Sequence, residues 1–265
     1  MADDRTRPEG YGVDVGGSGV KGAPVDLDGG TYAADRHKVA TPQPATPQAV
    51  ARSIREVVDH HGWTGPIGLC VPAVVQGGRA ITAANIDDSW IGTDVAEVVR
   101  AEAGLEARVV LNDADAAGLA EMRFGVGKGR RGSVLVLTLG TGIGSVLFSD
   151  GRLVPNTELG HLQLGGWPDA EVFCAPSARK REPDLSWEDW ASQRLSPYLQ
   201  HVEQLIWPDL VVLGGGVSRK PEKWLHAVRC RTEVVTAELT NDAGIVGAAL
   251  AAEESTGQIG EMPQA

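Results

Sequence analysis

The chain has 265 residues, 42% hydrophobic and 22% charged, with a net charge of −11. That is the composition of a globular protein long enough for one or two cores. The acidic balance argues against nucleic acid as a partner, and no apolar run approaches the ~20 residues that cross a bilayer. Cys70, Cys174 and Cys230 are isolated, so neither a disulfide framework nor a Cys-x-x-Cys zinc site is indicated. The polar start lacks the apolar run of a secretory signal, and a cytoplasmic location is expected.

Residues up to Glu9 and beyond about Glu254 are expected to be unstructured. Between them, a first β-region runs from Tyr11 to about Val39. The loop Thr41–Pro47 ends in a helix start, with Thr46 as N-cap and Pro47 at the first helical position. Val50, Ile54, Val57 and Val58 then keep helical spacing as far as His60-His61-Gly62. Ile67–Val71 reads as a buried strand stopped by Pro72, and a helix follows from Thr93 or Asp94. Val109–Leu111 is a short strand running into Asn112-Asp113, and Ala114–Phe124 is helical. After a glycine and basic loop, a second β-region covers Ser133 to about Val154. A long amphipathic helix is predicted over Trp187–Trp207, with Trp190, Ala191, Leu195, Leu199, Val202 and Ile206 on one stripe. Leu210–Leu213 is a strand opening into Gly214-Gly215-Gly216, and Ala243–Ala252 is a small-residue helix. The order of strands and helices occurs twice, which predicts two α/β halves of similar topology with a cleft between them. The predicted division is 1–111 and 112–242, with the helix near 243–254 packing back on the first half.

Each half opens on a glycine-rich strand-turn-strand unit: Val13–Gly22 and Leu137–Ser145. Glycine turns let backbone N–H groups approach an anion, so two of them can clamp a phosphate chain. Gly17–Gly22 formally fits a dinucleotide fingerprint, but a strand and the Asp28-Gly29 turn follow it instead of a helix. Asp14 sits inside an apolar strand, where a carboxylate needs a partner or a metal; beside a phosphate turn a Mg²⁺-linked role fits. Asn112 and Asp113 lie where a strand meets a helix, a place explained equally by capping and by ligand binding at a strand end. Glu158 and His161 read as a structural polar pair, half of a metal site whose other half is missing, or an acceptor and donor for a polyol. Asn85 reads as a turn residue or a ligand. The basic clusters Lys128/Arg130/Arg131, Arg179–Arg181 and Arg219/Lys220 are solvated charge or a local track for a polyanion.

Taken in order, these motifs resemble the ROK (repressor, ORF, kinase) family of the actin-like ATPase superfamily, and within it the polyphosphate-using glucokinases. Asp14–Gly22, Leu139–Gly144, Asn156–His161, Ile206–Leu210, Gly214–Lys220 and Asn241–Gly247 carry the resemblance. It implies an α/β fold of two similar actin-like ATPase (ribonuclease H-like) domains with a central cleft whose closure excludes water. It also implies a glucokinase that takes phosphate from polyphosphate, and from ATP. By resemblance, Asp113 is the catalytic base, and Asn85, Asn112, Glu158 and His161 form the sugar-binding set. Asp14, Gly16, Gly17, Ser18, Gly19 and Lys21 form the first phosphate loop, with Asp14 toward Mg²⁺. Thr138, Gly140, Thr141 and Gly142 form the second, and Gly214, Gly215 and Gly216 the nucleotide-side loop. A homodimer with no nucleic-acid or membrane partner is expected.

Three departures stand out. Many ROK members carry a Cys-rich zinc motif shortly after Glu-x-Gly-His; here only Cys174 lies there, so zinc is not expected. Ala73 follows Pro72 where glycine is expected, and 167–186 matches the family poorly. An ATP-only kinase for another hexose or amino sugar is the alternative. A sugar-sensing regulator would need a DNA-binding segment ahead of Tyr11, where about ten residues stand.

Overall fold

In the computed structural model, residues 9–258 are described. They divide into two compact units, 9–120 with 242–258, and 121–241. The first begins with β1 (Glu9–Gly16) and β2 (Gly19–Asp26), an antiparallel hairpin turning at Gly17-Ser18. Strands β3 (Thr31–Tyr32) and β4 (His37–Val39) both pair with β2. Helix α1 (Pro47–His60) starts where Thr46 accepts a hydrogen bond from Ala49 N, a cap worth ~1 kcal/mol. Strand β5 (Ile67–Val71) joins β1 in parallel, and every one of its residues is buried, as in a strand covered on both faces. A ribbon of β6 (Val75–Gln76) and β7 (Arg79–Ala80) precedes α2 (Val95–Ala103), which Asp94 caps. Strand β8 (Ala107–Asn112) closes the sheet in the order β3-β2-β1-β5-β8 and leads into α3 (Asp113–Phe124).

The second unit repeats this plan. Strands β9 (Ser133–Leu139), β10 (Ile143–Ser149) and β11 (Arg152–Val154) form the antiparallel meander. Short helices α4 (Ala170–Cys174), α5 (Ala178–Arg181) and α6 (Trp187–Trp190) lead to α7 (Ser196–Ile206). Strands β12 (Leu210–Gly215) and β13 (Glu233–Thr236) add in parallel, giving the order β11-β10-β9-β12-β13. The core gathers Leu137, Leu139, Tyr198, Leu199, Trp190 and Trp224, and the Trp190 indole donates to Cys174 O over 2.9 Å.

The chain then returns to the first unit as α8 (Ala243–Gln258), packed on β1 and β5. Only glycine permits that approach. A Cβ on Gly12 would sit 1.9 Å from Ile245 O, and one on Gly68 1.8 Å from Ala248 O. The small residues of α8 are therefore the price of seating a helix directly on a sheet.

Three expectations change. Helix α8 runs to Gln258, past the unstructured tail expected beyond about Glu254; residues 1–8 and 259–265 lie outside the described residues. The long helix expected over Trp187–Trp207 forms as one helical run to Ile206, but a π-turn at Ala191–Leu195 separates α6 from α7. Pro197 has no N–H to give, and Ser196 N instead reaches back to Ala191 O. The buried stripe survives from Trp190 to Val202. The stretch 112–120, expected with the second half, belongs to the first unit, where Ala116 packs with Cys70 and Ala248.

Candidate active site

In the first unit the β1–β2 register sets Asp14 opposite Lys21, and Lys21 Nζ donates to Asp14 Oδ2 at 2.9 Å. That ammonium is the partner a carboxylate in an apolar strand requires. The β5 and β8 registers align Asp14 with Cys70 and Cys70 with Leu111, so Asp113 follows at the same C-terminal edge of the sheet. Cys70 Sγ lies 3.7 Å from Asp14 Oδ1. Burial, then the negative charges of Asp14 and Asp113, push this thiol well above the usual range, so it is a neutral packing group and not a nucleophile. Asn85 is exposed with φ of 59°, and its carbonyl lies against Gly17, the first residue of the phosphate turn.

The Asn112-Asp113 pair separates into two roles. Asn112 Oδ1 accepts from Ala114 N at 2.8 Å and from Asp115 N at 3.3 Å, which makes Asn112 the cap of α3. Its Nδ2 donates to Ala73 O at 3.1 Å, so the unexpected alanine after Pro72 serves through its backbone. Asp113 Oδ1 shares the Ala114 N–H with Asn112, at 2.8 Å.

In the second unit the turn Gly140–Gly142 joins β9 to β10 and closes with Gly140 N donating to Gly142 O. Thr138 and Leu139 pair with Gly214 and Gly215 of β12, which brings the triglycine beside the turn. Two residues that motif reading missed hold this region. Glu171 Oε2 accepts from Ile143 N at 3.1 Å, and Ser177 Oγ donates to Thr141 O at 2.6 Å. Both belong to 167–186, and no local pattern announces a contact with a turn some 30 residues earlier.

Glu158 and His161 flank one 3₁₀ turn. Ser145 fixes it: Ser145 Oγ donates to Thr157 O at 2.7 Å and accepts from Leu159 N at 2.8 Å. Gly160 is required there, since a Cβ would lie 2.4 Å from Ile143 O. His161 Nε2 is 3.7 Å from Glu158 Oε2, and its Nδ1 is 3.3 Å from Asp169 Oδ2. Burial lowers the imidazole pKa, but Asp169, Glu171 and Glu158 outweigh it and the net direction is upward. Glu158 is also raised, by burial first, with His161 opposing. Among the described residues, His161, Asp169 and Glu171 bring one potential ligand atom each within 4.8 Å of one another.

Three comparisons place this geometry. The profile of the ROK family matches residues 10–180. The chain belongs to the ROK family. A polyphosphate glucokinase from Mycobacterium tuberculosis (strain CDC 1551 / Oshkosh) is 52% identical over 251 residues, 95% of this chain and 94% of that protein. The solved inorganic polyphosphate/ATP-glucomannokinase from Arthrobacter sp. strain KM is 46% identical with a TM-score of 0.86, covering 93% of this chain and 98% of that one. A ROK glucokinase from Streptomyces griseus, solved with glucose and AMPPNP, shares the fold at 24% identity and a TM-score of 0.76, over 93% of this chain and 100% of that one. The two units are thus those of the family's two-domain actin-like ATPase fold. No helix among the described residues is long and apolar enough to cross a membrane.

The basic clusters do not share one end of the second unit. Arg179 and Lys180 line a cavity of about 430 Å³ with Gly140 and Thr141. The loop bearing Lys128, Arg130 and Arg131, another candidate track for a polyanion, lies at the opposite end of β9, against Asp150-Gly151. The seven residues of β9 put roughly 20 Å between the two ends, about two Debye lengths at physiological salt. Arg130 is also paired with Glu233 at 3.2 Å.

Proposed function

We propose that the protein is a polyphosphate glucokinase, transferring the terminal phosphoryl group of inorganic polyphosphate, and of ATP, to the 6-hydroxyl of glucose. The observation that carries this is the similarity to a named polyphosphate glucokinase, 52% identical over 95% of the chain.

Phosphoryl transfer passes through a loose transition state, so the protein supplies position and charge compensation. The glucose 6-oxygen attacks the terminal phosphorus as the bridging P–O bond breaks, and the shortened polyphosphate, or ADP, leaves. Asp113 takes the proton of the attacking hydroxyl, a contribution of about 10²–10⁴-fold. Asn112 caps α3 beside it. Glu158 accepts from, and His161 donates to, sugar hydroxyls, with Ser145 and Asp169 holding the turn and the ring. Asn85 joins the sugar set. The amides of the Gly17-Ser18 turn and of Thr141 and Gly142 meet donor phosphates, with Lys21 assisting, and Thr138, Gly140 and Gly214–Gly216 support the second loop.

Mg²⁺ is the metal of this reading. One Asp14 oxygen is engaged by Lys21, which suits an ion held chiefly by donor phosphates with Asp14 as a supporting ligand. When bound, it compensates charge on the donor. We expect no zinc, a homodimer and a cytoplasmic location. Metal analysis of purified protein checks the first; stoichiometric zinc that supports activity would defeat it.

A coupled assay of glucose 6-phosphate formation, with polyphosphate and ATP tested separately, decides the function. Product from both donors supports it. Product from ATP alone reduces the protein to an ATP-dependent glucokinase, and no product with glucose rejects the acceptor.

A further inference from the structure

The cavity beside the second glycine turn is walled in part by the 176–187 segment. Gly140, Thr141 and Gly216 supply one wall, and Ser177, Arg179, Lys180 and Trp187 face them from the other. Arg179 is held in place twice: its Nε donates to Leu185 O at 2.8 Å, and its guanidinium carbon lies 4.0 Å from the centre of the Trp187 ring. Among the described residues its Nη nitrogens make no hydrogen bond and it has no carboxylate partner. Lys180 is exposed and, among the described residues, has no ion-pair partner either. Two cations therefore line a cavity against a glycine turn with no ion-pair partner among the described residues. Two other arginines of this unit are spent: Arg194 on Glu182 at 2.8 Å, and Arg130 on Glu233.

In a protein of net charge −11, unpaired positive charge in one cavity is a recognition feature and not a general surface property. A guanidinium already stacked and hydrogen-bonded loses little freedom on meeting a phosphate, and it offers a planar fork that fits one. The cavity adjoins the turn that meets the donor in the reading above, so its natural occupant is the part of the donor behind the transferred group.

We propose that Arg179 and Lys180 form a phosphate-reading station for the polyphosphate donor, holding phosphoryl groups behind the one transferred. This rests on the polyphosphate glucokinase reading. It assigns donor preference to the 176–187 segment and leaves the 128–131 loop without a role in donor binding. ATP, with fewer phosphates, depends on the station less.

The test uses the full chain with Lys180→Gln, the double variant Arg179→Gln/Lys180→Gln, and Lys180→Arg as the conservative control. Because Lys180 is exposed, the single variant tests the station without disturbing the Arg179–Trp187 stack. Steady-state rates are measured with polyphosphate and with ATP at saturating glucose, over a series of salt concentrations. The double variant is expected to raise the apparent KM for polyphosphate about tenfold or more, with Lys180→Gln part-way, and to flatten its salt dependence. The KM for ATP should shift by less than about threefold, and the KM for glucose should hold. Lys180→Arg should retain most polyphosphate use, and neutralising Lys128, Arg130 and Arg131 together should leave both donors unaffected. Equal losses with both donors, or an unchanged KM for polyphosphate in variants of a wild type that uses it, overturn this proposal alone. A wild type that makes no glucose 6-phosphate from polyphosphate overturns the parent reading and the station with it.

Discussion

The two units solve the same topological problem with different chemistry. Each builds a three-strand antiparallel meander, adds two parallel strands on the same side, and places a glycine turn at the hairpin between its first two strands. In the first, the turn is backed by acidic groups with one close cation: Asp14 paired to Lys21, and Asp113 along the same sheet edge. In the second, one carboxylate, that of Glu171, holds the turn's backbone, and the side chains lining the adjoining cavity include Arg179 and Lys180. On the proposed reading, one scaffold carries a proton acceptor in one copy and a polyanion station in the other. Chemistry is set by the side chains grafted beside the turn and not by the sheet order that both share.

The largest effect should come from Asp113→Asn. Turnover should fall by at least ~10²-fold. Thermal stability should hardly move, because Asn112 caps α3. A variant with near-normal kcat would remove the catalytic difference between the units. Next is Gly68→Ala, which probes the backbone-to-backbone seat of α8 found in the first unit. A Cβ 1.8 Å from a carbonyl oxygen forces the helix off the sheet, at about 1–3 kcal/mol or more. Denaturant unfolding checks it, and an unchanged midpoint would show that the seat is looser than the structure has it.

The smallest and sharpest effect is on pH. Protonated His161, with Nδ1 held by Asp169, presents Nε2–H to a sugar hydroxyl. As pH rises through its raised pKa that donor is lost, so the apparent KM for glucose should climb on the alkaline side. Asp169→Asn removes an influence that raises the pKa, so the limb should move to lower pH. Glu158 must be ionised to accept, so a second limb should appear as pH falls through its own raised pKa. His161→Ala should raise the glucose KM throughout and erase the alkaline limb. A flat profile that Asp169→Asn leaves alone would return the pair to a structural role.

Much of this was legible without coordinates, and the reasons are local. The Thr46-Pro47 helix start and the buried run Ile67–Val71 follow from residues acting on their near neighbours in the chain. The two glycine turns and their kinship to one family are read the same way. The division of labour between Asn112 and Asp113 is not legible locally, because either residue can cap a helix; the carbonyl of Ala73, 39 positions away, holds Asn112 in that task. The π-turn before Pro197 was implicit in the missing N–H, yet the periodic stripe alone masked it.

The sequence by itself determined the elements, the doubled plan and the glycine turns, because backbone sterics and hydrophobic spacing act over a few residues. Only the tertiary structure decided which charges count. It put Arg179 and Lys180 beside Thr141, sent Lys128 and Arg131 to the far end of β9, and brought Glu171 and Ser145 to the segments they hold. Electrostatic and hydrogen-bond partners are chosen by distance in space, and a sheet that sets residues some 30 positions apart in contact while holding the two ends of one strand about 20 Å apart leaves no trace of that choice in local pattern.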